Sequence, residues 1–273
     1  MTTTEIQEIF NLKDVRESDE GIFKIHQAQL GAQTVALLNS LSSAYRAFLK
    51  DLDGANFYGS ERDNDAVIAC IFGCHYDKDM GMLAVLRGHK TDAAFYTRRA
   101  MEYASFGAHI LKALTNAKSN EEKTNRISEL YLNGINSKTA FEKYRSEFPI
   151  MVLLRDSSIV FGKWFYDQYE ELSREAHASY ESIMLKLEKI GLGYNLAYHE
   201  IKEVPRIYKG IERLLQLVEV HLCILRGFLH LLKDAKRFDG AKTLQSIEST
   251  DYLLGLEKQR WAAVKEANGI RSR

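Results

Sequence analysis

With 273 residues, 45% of them hydrophobic and only two of them proline, the chain is long enough for one sizeable core and poor in helix breakers. Its 37 basic residues balance 37 acidic ones, which excludes a protein that binds DNA non-specifically through its overall charge. Cys70, Cys74 and Cys223 follow a start, Met1-Thr2-Thr3-Thr4-Glu5, with neither the basic nor the apolar region of a secretory leader, so a cytoplasmic protein without structural disulfides is expected.

Apolar residues return at steps of three and four along most of the chain, which predicts an all-α protein. The first long helix is expected from Asp19 to Leu52, with Leu30, Thr34, Leu37, Leu41, Ala44, Phe48 and Leu52 on one face. Within it, Ile25 to Tyr45 carries no formal charge, but its glutamines and serines mark an amphipathic helix, not a membrane span. No membrane association is expected. A second helix should run from Asp63 or Asn64 to Arg87, with a break near Asp77–Gly81, and Gly88-His89 should turn the chain into a third. That third helix, Lys90 to Leu114, sets Ala93, Ala100, Ala104, Gly107 and Leu111 on one stripe, with Arg98, Glu102 and His109 opposite.

Ser119-Asn120-Glu121-Glu122 forms a capping box for a short helix to Asn133, and a further helix is expected from Ser137 to Phe148 before Pro149. The next should run from Ser157 to Glu175 with Phe161, Phe165, Gln168, Leu172 and Ala176 inward, and another should end at Ile190 before Gly191-Leu192-Gly193. No run alternates convincingly enough to predict a strand. The longest helix, Pro205 to Lys236, carries a seam of Ile207, Ile211, Leu214, Val218, Leu225, Phe228 and Leu232. A last helix is expected from Asp251 to Ala267, and its basic residues Lys258, Arg260 and Lys265, with Arg271 and Arg273, read as a solvated end. The expected architecture is a single-domain multi-helix bundle over 1–273 with long antiparallel helices, the helices of 1–62 and 250–273 lying at its periphery.

Few residue groups could carry chemistry. Cys70, Cys74 and His75 stand as C-x3-C-H with Asp77 and Asp79 beyond, but the ligand set is incomplete; buried apolar cysteines are expected and no metal. His221 sits among apolar seam residues, either a base in a buried cleft or, as its neighbours favour, a core histidine. Arg98 and Glu102 are spaced to pair across one helical turn, on a surface or as the lining of a cleft. Ser173 and His177 share a helix sector, without the strained turn or oxyanion donors that a serine nucleophile uses. Phosphate-loop, dinucleotide-binding, zinc-protease, calcium-loop and kinase signatures are absent, so no cofactor is expected.

Two stretches carry a family resemblance. Leu83-Ala84-Val85-Leu86-Arg87-Gly88-His89 followed by Ala93-Ala94-Phe95-Tyr96-Thr97-Arg98-Arg99-Ala100-Met101-Glu102, and then Tyr169-x-x-Leu172-Ser173-x-x-x-His177, resemble a family of uncharacterised bacterial helical proteins known as a domain of unknown function. The resemblance spans roughly residues 65–190 and implies Arg98, Glu102, Ser173 and His177 as site residues. That family is distantly similar to the "higher eukaryotes and prokaryotes nucleotide-binding" (HEPN) helical domains, several of which are ribonucleases of defence and toxin systems. Those nucleases separate an Arg from a His by four to six residues; here Arg174 and Arg226 stand too close to His177 and His230. The resemblance therefore leaves two expectations. One is a non-enzymatic module whose polar cleft binds a nucleotide, RNA, a peptide or a partner helix, or a homodimer joined through the long seam helix. The other is a metal-independent ribonuclease in which His177 exchanges the proton, Arg98 stabilises the phosphate and Glu102 orients them.

Overall fold

In a computed structural model of the chain, residues 20–21, 23–24, 30–55, 62–116, 150–176, 187–190, 193–196, 204–234 and 239–269 are described. The fold is an all-α helical bundle. Its long helices are α1 (Ala32–Gly54), α2 (Arg62–Leu86), α3 (Lys90–Asn116), α4 (Ile150–Phe161), α5 (Lys163–Ala176), α6 (Val204–Asp234) and α7 (Ala241–Ala267). The helices expected over 119–133 and 137–148 lie outside the described residues.

The centre of the bundle is the antiparallel hairpin of α2 and α3. Gly88, at φ 78°, turns it: the His89 N–H reaches the Ala84 carbonyl at 2.8 Å and the Gly88 N–H reaches Val85 at 2.9 Å, the paired bonds of a left-handed helix stop. The break expected near Asp77–Gly81 does not occur, and α2 runs through it. Gly81 serves close packing instead, since a Cβ there would stand 2.7 Å from Leu217 of α6. On α3 the alanine stripe is wholly buried, Thr97 with it, and Met101 and Ser105 beside the stripe are buried too. The helix is enclosed on most of its circumference.

Along α6, Ile211, Leu214, Val218, Leu225, Phe228 and Leu232 are buried as the seam predicts, and Leu217, Val220, Ile224 and Leu231 between them are buried as well. Gly210–Asp234 is long and apolar enough to cross a membrane, yet 72% of that window is buried inside the protein. The described seam residues, Ile211 to Leu232, are covered by the chain's own helices.

Four expected boundaries are corrected. The helix expected over 19–52 is interrupted: residues 20–21 and 23–24 are helical, but Gly31 takes an extended backbone (φ −57°, ψ 161°), and α1 starts at Ala32 from the Gly31 carbonyl, which accepts the Val35 N–H. The single helix expected over 157–175 is two, α4 and α5, split where Gly162 adopts φ +87°, a conformation that costs residues with a side chain. The helix expected to end at Ile190 is instead a strand there: β1 (Leu187–Ile190) pairs antiparallel with β2 (Gly193–Leu196), Ile190 opposite Gly193. The last helix begins ten residues earlier than expected, at Ala241. Its first turn is capped from α1, where Asp51 Oδ2 accepts both the Thr243 N–H (3.1 Å) and the Thr243 hydroxyl (2.7 Å).

α7 packs mainly on α1 and then on α6, burying Ile247, Leu254 and Trp261. A buried carboxylate ties it to α1. Glu257 accepts from Thr34 of α1, from Arg260 Nε at 2.9 Å and Nη2 at 2.6 Å, and from the Trp261 indole at 2.7 Å. Lys258 and Lys265 pair with Glu219 and Glu212 of α6. Lys258 is exposed, as expected of a solvated end, and these surface pairs add little to the hold of Glu257.

Candidate functional site

α5 packs across α3 on the side that carries Arg98 and Glu102. Its strongly amphipathic sequence drives this: Phe165, Tyr169 and Leu172 turn inward at helical spacing, while Glu170, Glu171 and Arg174 face out. The consequence is that Arg98 and Glu102 are not a solvated surface pair. Their side chains are 20% and 29% exposed, and Arg98 Nε donates to Glu102 Oε1 at 2.9 Å. The Tyr169 hydroxyl donates to that same oxygen at 2.8 Å, and the Arg98 guanidinium lies 5.5 Å from the centre of the Tyr169 ring.

Electrostatics fix the protonation of this triad. Burial works against the charge on Arg98, but Glu102 and Tyr169 outweigh it and raise its pKa, so the guanidinium remains charged. Burial, then the Glu102 charge and hydrogen bond, push Tyr169 up to about 12. Tyr169 is therefore a permanent donor at neutral pH and unsuited to act as a base.

Beside the triad opens a groove of about 650 Å³, lined by Arg98, Tyr169, Glu170, Ser173 and Arg174 with Ile150 and Met151 as an apolar wall. The volume lies in the range of small-molecule sites, roughly 300–1,000 Å³. Ser173 Oγ is buried and has no hydrogen-bond partner among the described residues. Of the residues expected to form a site, Arg98, Glu102 and Ser173 thus come together here, Glu102 through its bond to Arg98. His177 lies outside the described residues. His109, on the same face of α3 in the sequence, does not line the groove; it borders a separate cavity of about 20 Å³ with Ser105, Lys112, Asp156 and Ser157, room for about one water.

Tyr169 is the participant that sequence reasoning passed over. The expected inward stripe carries Gln168 in its place, whereas the structure buries Tyr169 and leaves Gln168 half-buried; a buried phenol needs an acceptor, which Glu102 supplies. The other groups fall elsewhere. Cys70 and Cys74 are buried, with Cys74 Sγ donating to the Ala100 carbonyl at 3.3 Å. Among the described residues no three His, Cys, Asp or Glu side chains converge as a metal site. His221 is wholly buried and its Nδ1 pairs with the Tyr45 hydroxyl at 2.7 Å, the arrangement of a core histidine. No protein-family model matches this chain, and no curated protein or solved structure matches it either.

Proposed function

We propose that this chain is a binding module that takes an anionic ligand of the nucleotide class in the groove between α3, α4 and α5. The observation that carries the reading is the Arg98 guanidinium, fixed by Glu102 and Tyr169 at the wall of an open groove. A planar guanidinium held in one orientation loses little freedom on binding and matches phosphate oxygens in its fork geometry. Arg174 adds a second cation, and Ile150 with Met151 a surface for an apolar or aromatic moiety. The resemblance to nucleotide-binding helical domains supports the same ligand class.

Isothermal titration with nucleoside 5′-monophosphates, and with inorganic phosphate as the minimal probe, tests this. Arg98→Met should weaken binding by roughly 10–100-fold, the equivalent of one charged hydrogen-bonding partner. Equal affinity in the variant, or no binding of any probe at millimolar concentration, overturns the reading. Metal-independent RNA cleavage is the second reading, favoured by Ser173 lining the groove four positions before His177 in the sequence. It requires RNA hydrolysis by the intact chain that His177→Ala abolishes; activity unchanged in that variant removes it.

A further inference from the structure

The buried polar side chains that the groove does not use gather where α1 meets α2 and α6. Tyr45 of α1 stands at the middle. Its hydroxyl bonds to His221 Nδ1 of α6 at 2.7 Å, its ring meets the edge of His75 of α2 at 5.1 Å between centroids, and Lys78 Nζ of α2 lies 5.3 Å from its ring centre. Lys78, 1% exposed, donates to Ser42 of α1 at 3.0 Å and pairs with Asp79 at 2.9 Å, while His75 reaches the other oxygen of Asp79 at 3.4 Å. α1 spreads its broad packing over α7 and approaches α2 mainly through this cluster.

We propose that this junction is an acid-released latch that holds α1 against α2 and α6. The closed junction has no place for another positive charge. His221 is fully buried, and its Nε2 has no hydrogen-bond partner among the described residues, so an imidazolium there would point an N–H at dry surroundings. Lys78 already supplies one cation, balanced by the single carboxylate of Asp79, which His75 shares. A charged His75 would compete with Lys78 for Asp79 and face Arg46 of α1. The remaining acidic groups near Tyr45, Asp77 and Cys74 of α2, do not offset this: Asp77 is committed to Arg99 of α3, and burial keeps the Cys74 thiol neutral. His75, 27% exposed, already meets water at one edge, whereas His221 meets it only once α1 moves away.

The sign follows from linkage. Burial first, then Lys78, lowers both histidines, His221 to about 3. A histidine depressed in the closed form stabilises that form above its ordinary pKa and loses the contribution as pH falls below it. The opening constant of α1 should therefore rise up to about tenfold per pH unit below pH ~6.5 through His221, with His75 adding in the same direction. Glu257, which also holds α1, titrates below the ordinary carboxylate range and leaves the window from pH 6.5 to about 5 to the histidines.

Hydrogen–deuterium exchange of the intact chain at pH 7, 6 and 5, corrected for intrinsic exchange, reads the latch. The expected result is a steep loss of protection in α1 while α3 keeps its own, with the slope flattened in a Tyr45→Phe/His221→Leu double variant and reduced in His75→Gln. Protection of α1 unchanged to pH 5, simultaneous loss in α1 and α3, or a full slope in the double variant overturns the proposal. Should the double variant not fold, the wild-type imidazole signals by NMR decide it: a His221 that titrates near its ordinary pKa with α1 still protected overturns the latch, and one that gains a proton only as α1 exchanges supports it.

Discussion

Removing the Glu257 carboxylate should reveal how much of the stability rests on the contact between α1 and α7. Glu257→Ala leaves the Thr34 hydroxyl, wholly buried, and the Trp261 indole, nearly so, without their acceptor, each at about 1–3 kcal/mol. It also leaves Arg260 without its counter-charge, but that side chain is 31% exposed and recovers part of its hydration. The expected loss is therefore about 3 kcal/mol, at the lower end of the roughly 3–5 kcal/mol for breaking a buried ion pair. Glu257→Gln keeps an acceptor oxygen and should lose about half as much. Burial opposes the Glu257 charge, yet the bonds from Arg260, Thr34 and Trp261 outweigh it and hold its pKa below the ordinary value. That stabilisation is complete above the unfolded pKa of about 4.5 and is lost as pH falls through the folded one. Urea unfolding at a series of pH values should thus show the gap between wild type and Glu257→Gln closing below pH ~4.5. A gap that stays constant from pH 7 to 3, or no gap at all, refutes the assignment of a buried charged carboxylate.

Two glycines in the helices make opposite forecasts for the same substitution. Gly227→Ala in α6 drives a methyl to 2.1 Å from the Phe161 ring and should destabilise by about 2 kcal/mol, lowering Tm by roughly 4–8 °C. Gly255→Ala in α7 meets open space and should stabilise by about 0.4–1 kcal/mol, so thermal melts of the two variants moving in the same direction would contradict this packing. Tyr169→Phe removes a donor from Glu102 and should destabilise by about 1 kcal/mol at neutral pH. Because Tyr169 is raised to about 12, its stabilising part is full below pH 10 and lost toward pH 12; denaturant melts of wild type and variant should converge over that window.

The bundle was readable wherever one face of a helix carried plain aliphatic side chains. The seam of α6 and the alanine stripe of α3 lie where the periodicity puts them. The first third of α7 was not readable, because Thr243 and Thr250 occupy inward positions beside Ile247, and their hydroxyls bond to Asp51, Ser40 and Ser246. A hydropathy pattern counts such residues as polar and misses the helix. The division of α4 from α5 depends on the left-handed backbone of one residue, Gly162, which a periodic reading passes over. At the groove, Arg98 and Glu102 are visible as a one-turn pair. Tyr169 is 67 positions away from Glu102, and only the crossing of α5 over α3 brings its hydroxyl to the carboxylate.

The bond between Thr34 and Glu257 closes a span of 223 residues, and Asp51 caps a helix that follows 192 residues later. On a ribosome adding about 5–20 residues each second, α1 would wait roughly 10–45 s before its main docking surface is synthesised. During that interval the face of α1 that packs on α7 has no partner, which makes the nascent chain a natural client for chaperones. Shortening the C-terminus by two or three turns should for the same reason strand the other end of the protein. Truncation at one terminus then reads out as proteolysis at the opposite one.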